Sequence, residues 1–173
     1  KGVTDKKRDQ QLIVSLTTFP GRINCVHKAI ETLLNQTMKP DQVILWLARE
    51  QFPRGKRDLP KSLLRLRRRG LSIQWCDDLK SHKKYYEVMK RYPEDLIITV
   101  DDDLYYDSTL IENLYRAHIQ HPDCVCAVRC HLLRFDSTGN PLPYKRWKRE
   151  QSEYVNVPLM GLVSTSGAGT LYP

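Results

Sequence analysis

Short apolar runs that alternate with stretches of helical periodicity constrain the fold of this chain more than any other feature. The runs are QLIVSL (Gln11 to Leu16), QVILWL (Gln42 to Leu47), LSIQWC (Leu71 to Cys76) and LIITV (Leu96 to Val100). Each is apolar over most of its length, as a strand buried on both faces requires. Between the first two, Val26, Ala29, Ile30, Leu33 and Leu34 recur at helical spacing, and Pro40 stops that helix. After the loop EQFPRGKRDLP, the segment KSLLRLRRRG reads as a short helix ended by Gly70. Tyr85, Val88, Met89 and Tyr92 mark one face of a third helix, closed by YPED. Thr109-x-x-Glu112 has the form of a capping box opening a fourth, with Leu110, Ile111, Leu114, Tyr115 and Ile119 as its apolar face and Pro122 as its stop. VCAVRCHLLRF (Val125 to Phe135) reads as a fifth strand, DSTGNPLP as a turn, and the last forty residues as irregular. The order βαβαβαβαβ predicts an α/β fold, a mostly parallel central sheet with helices on both faces. It forms a single domain over residues 11–173 behind a charged leader at residues 1–10.

The stretch LIITVDDDLYYD (Leu96 to Asp107) carries a buried strand straight into three consecutive carboxylates. Adjacent like charges repel, so a nearby positive charge or a retained proton is expected. Parallel α/β sheets place ligands at the carboxyl ends of their strands. The polar groups expected at that edge are Thr17 and Thr18 after the first strand, Asp77 and Asp78 after the third, and Asp101, Asp102 and Asp103 after the fourth. In an extended segment residues i and i+2 share a face, so Asp101 and Asp103 are the pair able to share a cation, with Asp102 turned aside. Oxygen-only donors select Mg²⁺ or Mn²⁺, which take their remaining oxygens from substrate phosphates. Lys83 and Lys84 lie near the same edge, as diphosphate contacts or as an exposed pair on a helix's polar side; Arg22, in the loop after the first strand, is similar.

The net charge of +8 suits an anionic partner: nucleic acid, an anionic membrane surface or a phosphorylated small substrate. Much of it lies in FPRGKRDLPKSLLRLRRRG and YKRWKRE. Cys25, Cys76, Cys124, Cys126 and Cys130 show no framework spacing and read as reduced cysteines of a cytoplasmic protein. The run C-x-C-x3-C-H at Cys124 to His131 is not a usual zinc spacing and reads better as strand. The start KGVTDKKRDQQ is too polar for a secretory signal, and no window is apolar enough to span a bilayer. Without an initiator Met, and with GLVSTSGAGTLYP stopping inside an unfinished element, the chain reads as part of a longer one.

Several of these pieces together resemble the glycosyltransferases of the GT-A fold, most like family 2. They are IVSLTTFPGRI, LLNQTMKPDQVILWL, WCDDLKSHKKY, DLIITVDDDLYY and SGAGTLYP, covering nearly the whole chain from Leu12 onward. The strand followed by Asp-x-Asp is the most specific of them. The resemblance implies a Rossmann-like half that binds a nucleotide-diphosphate sugar, UDP-sugar favoured, together with Mn²⁺ or Mg²⁺. It implies that Asp103 holds the metal, that Asp101 holds metal or sugar, and that Asp102 belongs to the same motif. Thr17 and Thr18 would cradle the nucleotide, Asp77 or Asp78 would lie near the base or ribose, and Lys84 would contact the diphosphate or the base side. The SGAGT loop (Ser166 to Thr170) would line the acceptor side. Inverting members place an Asp or Glu base after that loop; none follows it here, so the base is expected beyond Pro173, and Glu150 and Glu153 are weak substitutes. The acceptor would be a glycan or lipid-linked hydroxyl, with a peripheral contact at the inner face of the membrane, a role open to Arg65, Arg67, Arg68 and Arg69.

Two other classes fit parts of the sequence. A phosphohydrolase with an Asp nucleophile also uses D-x-D after a strand, though usually after the first strand and not the fourth. A basic nucleic-acid binding module fits the charge, but no recognised motif is present and the carboxylates at the sheet edge would repel phosphates without metal; nucleic acid is therefore not an expected partner.

Overall fold

The computed structural model describes residues 1–6, 8–150 and 152–173. Strands β1 (Leu12–Thr17), β2 (Gln42–Ala48), β3 (Leu71–Cys76) and β4 (Leu96–Thr99) are the four apolar runs, and all pair in parallel. Between them lie α1 (Val26–Leu34), α2 (Lys61–Arg65) and α3 (Lys83–Arg91). Helix α4 (Leu110–Gln120) follows β4, then four short strands: β5 (Cys126–Ala127), β6 (Cys130–Leu132), β7 (Leu162–Ser164) and β8 (Thr170–Tyr172). The main sheet has the order β3-β2-β1-β4-β8-β5, and β6 pairs with β7 in a separate ribbon.

Strand alternation assigns the two faces of the sheet. Leu12, Val14 and Leu16 of β1, with Val43, Leu45 and Leu47 of β2 and Ile98 of β4, pack in one core with α1, α2 and α4. Ile13, Ile44, Trp46 and Ile97 point the other way and meet Val88 of α3. The second face also carries a buried polar link. The Trp46 indole N–H donates to Ser15 Oγ at 3.0 Å, and the Ser15 hydroxyl donates to the Lys84 carbonyl. That link ties the start of α3 to the centre of the sheet.

After β1 the chain moves outward through β2 to β3, then returns by α3 to place β4 on the other side of β1. The β1/β4 boundary is therefore the topological switch point, where open α/β sheets bind ligands.

The leader lies against this body: the Gly2 amide donates to the Arg69 carbonyl at 2.7 Å and the Thr4 amide to Pro40 at 2.9 Å. Gly70, left-handed at φ 114°, ends the turn after α2, as its position predicts. Arg69 bonds the Leu34 carbonyl and Asn35 at the end of α1, so this member of the arginine run is partly structural.

The structure differs from the sequence reading in four places. VCAVRCHLLRF is not one strand: it breaks at Val128–Arg129, with β5 in the main sheet and β6 in the ribbon. The last forty residues are not merely irregular, since β8 inserts antiparallel between β4 and β5 and makes the sheet mixed. Thr109 and Glu112 form no capping box. Asp107 Oδ1 accepts from the Thr109 amide and hydroxyl instead, and Glu112 accepts from Thr37 and pairs with Arg116. Ile119 is exposed and His118 takes its place on the buried stripe, because position 118 lies one turn on from Leu114.

Candidate functional site at the switch point

The three carboxylates emerge from β4 beside the end of β1, and each has a different surrounding. Asp102 is the buried one, 8% exposed; it accepts from the Thr18 hydroxyl at 2.5 Å and from Arg22 Nη1 at 2.8 Å. Asp101 and Asp103 have side chains 42% and 45% exposed. Asp101 pairs with Lys84 Nζ at 2.6 Å, and Asp103 shares Arg22 Nη1 at 2.8 Å. The positive charge that the acidic run requires is thus supplied by the protein's own Arg22 and Lys84. The alternation expected from i, i+2 spacing is present in the exposures, with Asp102 turned inward.

Arg22 sits in the turn between β1 and α1, its guanidinium 5.6 Å from the Phe19 ring centroid. The hydrogen bond and charge of Asp102, with smaller contributions from Asp103 and Asp101, hold that guanidinium protonated above its ordinary value.

Lys83 and Lys84 are both buried, so they are not the exposed pair that a polar helix face would carry. Lys83 bonds Asp78 at 2.9 Å; Lys84 bonds Asp101 and also lies 3.3 Å from Ser166 Oγ. Asp78 further accepts from Lys80 Nζ, the Lys80 amide and Gln51 Nε2. The Lys80 and Lys83 ammonium groups and the Lys80 amide hold its carboxyl far below the usual carboxylate range. Asp77 is exposed. Thr17 donates to the Trp46 carbonyl at 2.8 Å, so its hydroxyl is committed to the sheet.

A cavity of about 440 Å³ opens at this edge. Its walls include Thr17, Thr18 and Gln51, four cations (Arg22, Lys80, Lys83, Lys84) and two carboxylates (Asp101, Asp102). Asp77, Asp78 and Asp103 do not line it, although Asp78 and Asp103 hold residues that do. Its volume and the excess of cations over carboxylates in its walls fit a small anionic ligand. Gln51 lines this cavity, while its own Oε1 is buried without a hydrogen-bond partner.

Sequence reasoning missed Tyr106. Its buried hydroxyl accepts from the Asp101 amide at 2.7 Å and donates to the Gly167 carbonyl at 2.7 Å, with the Asp101 carbonyl 3.1 Å away. Burial raises its pKa above the usual phenol value. Tyr106 thereby fastens the SGAGT loop to the acidic run. Gly167 completes the contact, because a Cβ there would overlap Asp101 Oδ2. The available signal was the Tyr105-Tyr106 pair just past the carboxylates, of which Tyr105 is exposed and Tyr106 buried. Glu150 lies 4.0 Å from Arg129 and Glu153 pairs with Lys148, both in the ribbon region.

Among the described residues, no group of three or more His, Cys, Asp or Glu side chains is arranged to hold a metal alone. Two accessible carboxylates, Asp101 and Asp103, suit a hard divalent cation that draws its other oxygens from a phosphate ligand. Cys124, Cys126 and Cys130 are free thiols, and His131 Nδ1 accepts from the Glu150 amide.

No protein-family model matches this chain, and no curated protein matches it. Its own geometry therefore carries the functional reading.

Proposed function

We propose that this chain binds a nucleoside-diphosphate sugar at the switch point and transfers the sugar to a hydroxyl of a glycan or lipid-linked acceptor, as a metal-dependent transferase of GT-A type. The carrying observation is the Asp101–Asp103 run at the end of β4, held directly by Thr18 and Arg22 from the end of β1 and by Lys84, at the edge of a cation-rich cavity. Four cations (Arg22, Lys80, Lys83, Lys84) balance four carboxylates (Asp78, Asp101, Asp102, Asp103) in this cluster. A nucleoside-diphosphate sugar adds about two negative charges and a divalent cation about two positive ones, so the two together preserve the balance. A divalent cation held by Asp101 and Asp103 would stabilise the charge developing on the departing diphosphate. Arg22 and Lys84 line the same cavity and supply fixed positive charge to that group. Asp102 acts as a positioning residue, holding Arg22 toward Asp103. Gln51, bonded to Asp78, lines the cavity where the ribose or base would lie.

The Asp101–Lys84 pair, with Ser166 on the same ammonium, also favours a second reading. In it Asp101 is the nucleophile of a phosphohydrolase, and an aspartyl-phosphate trapped on Asp101 would establish it.

The deciding experiment is a thermal-shift series with UDP, GDP, CDP and dTDP, each with and without Mn²⁺. Ligand at about a hundredfold its Kd adds about 2.7 kcal/mol, a shift of several degrees. A shift selective for one nucleotide, dependent on Mn²⁺ and absent in Asp103→Ala supports the reading. Absence of any shift sinks it for this chain.

A further inference from the structure

We infer that the β6/β7 ribbon and the turn leading into β7 dock on the surface of an anionic phospholipid bilayer. Nine of the fourteen large apolar side chains that are exposed among the described residues fall between Val125 and Val163. They are not scattered. A turn closed by the Val157 amide on the Tyr154 carbonyl presents Val155 and Val157 at 68% and 52% exposure, and Met160 follows at 96%. Val125, Val128 and Leu159 join them around a cavity of about 630 Å³. A concentration of this kind marks a surface that is covered in use.

The charge beside it says what covers it. Between Asp123 and Thr165 the chain carries Arg129, Arg134, Lys145, Arg146, Lys148 and Arg149 against Asp123, Asp136, Glu150 and Glu153, a net positive balance. All six cations are exposed. The backbone holds the two features together: Lys148 bridges Leu132 of β6, and the Leu133 amide bonds the Gly161 carbonyl at 2.8 Å. Exposed aliphatic tips on the same ribbon as exposed Lys and Arg match lipid headgroups over acyl chains. A sugar ligand would instead call for stacked aromatic platforms and paired donors, whereas the described walls of this cavity are mainly aliphatic, with rings only at Tyr154 and His121. No helix among the described residues is long and apolar enough to cross a membrane, so the contact is with the surface.

The inference is independent of the transferase reading, since vesicle binding needs no nucleotide. The whole chain is floated with vesicles of phosphatidylcholine alone and of phosphatidylcholine mixed with phosphatidylglycerol. Binding to the anionic vesicles only, weakened by salt, is expected. Val157→Asp/Met160→Asp should weaken it by about tenfold or more, and Lys145→Glu/Arg146→Glu by several-fold, with unchanged melting temperature and unchanged nucleotide shift. Three results overturn it: no vesicle binding, equal binding by the apolar double variant, or a lipid-free dimer in light scattering that the double variant abolishes. The last would make the patch an interface between two copies.

Discussion

The Lys84 ammonium lies 2.6 Å from the Asp101 carboxylate, with its own side chain only 5% exposed while that of Asp101 is 42% exposed. The cation is buried and the anion is open to the cavity. Replacing Lys84 by Met therefore leaves a carboxylate that water can still reach, and the cost stays below that of a fully buried orphan, about 1–2 kcal/mol. Urea denaturation should read that loss. The same variant should weaken nucleotide binding beyond its effect on stability, which titration at a temperature well below the melting transition will show.

Gly167→Ala should be worse for stability than its size suggests. The new methyl overlaps Asp101 Oδ2, and the neighbouring Gly167 carbonyl is held by Tyr106. A loss of about 1–3 kcal/mol in denaturant unfolding is expected. Tyr106→Phe keeps the shape but strips the Asp101 amide and Gly167 carbonyl of their partner, with a loss of similar size.

Ser15→Ala removes both ends of the buried link between Trp46 and the Lys84 carbonyl. Two groups lose partners away from water, so about 2–4 kcal/mol should disappear from the unfolding free energy. Trp46 emission should change, since its indole N–H loses its acceptor.

Gln51 should set ligand preference with little effect on the fold. It lines the cavity, and its Nε2 is bonded to Asp78. Gln51→Leu should reduce affinity for the bound nucleotide by about tenfold, consistent with one hydrogen bond, while the melting temperature of the ligand-free protein moves by no more than a few degrees.

Stability should fall at both ends of the pH range. The folded pKa of Asp78 is depressed by its lysine partners, so its bonding contributes above the unfolded value of about 3.9 and is lost as pH falls through the folded pKa. Burial, with a smaller push from Glu87, raises the Cys76 thiol to about 11. Its contribution is complete below the unfolded value of about 8.5 and is lost as pH rises toward about 11. Tyr106 acts in the same alkaline direction. Urea midpoints measured across pH should show a plateau near neutrality, and Cys76→Ala should flatten the decline between about pH 9 and 11.

The parallel half of the fold was legible because its strands are continuously apolar and its helices periodic; β1 to β4 lie within a residue or two of where the sequence puts them. The clustering of Asp101–Asp103 with Thr18 follows from that topology. Partner choice was not legible. Lysines at positions 83 and 84 look like a solvated face until Asp78 and Asp101 are seen to bury them. A Thr-x-x-Glu pattern reads as a cap until Thr37 is seen to claim the glutamate. β8 was invisible because three residues carry no period, and its pairing is with strands far earlier in the chain.

That late strand has a consequence for how the protein is made. Thr170 and Leu171 pair with β4 on one side and with β5 on the other, and the pairing of β5 with the main sheet is with β8 alone. A chain emerging from the ribosome completes β1 to β4 early, then leaves one side of β4, with Ile97 and Ile98, without a neighbour while all the intervening residues are synthesised. Exposed backbone of that kind invites pairing with other chains. Three residues near the far end of the sequence therefore decide whether a nascent molecule closes on itself or on its neighbours, and expression truncated before Thr170 should yield aggregate where one that includes Tyr172 yields folded protein.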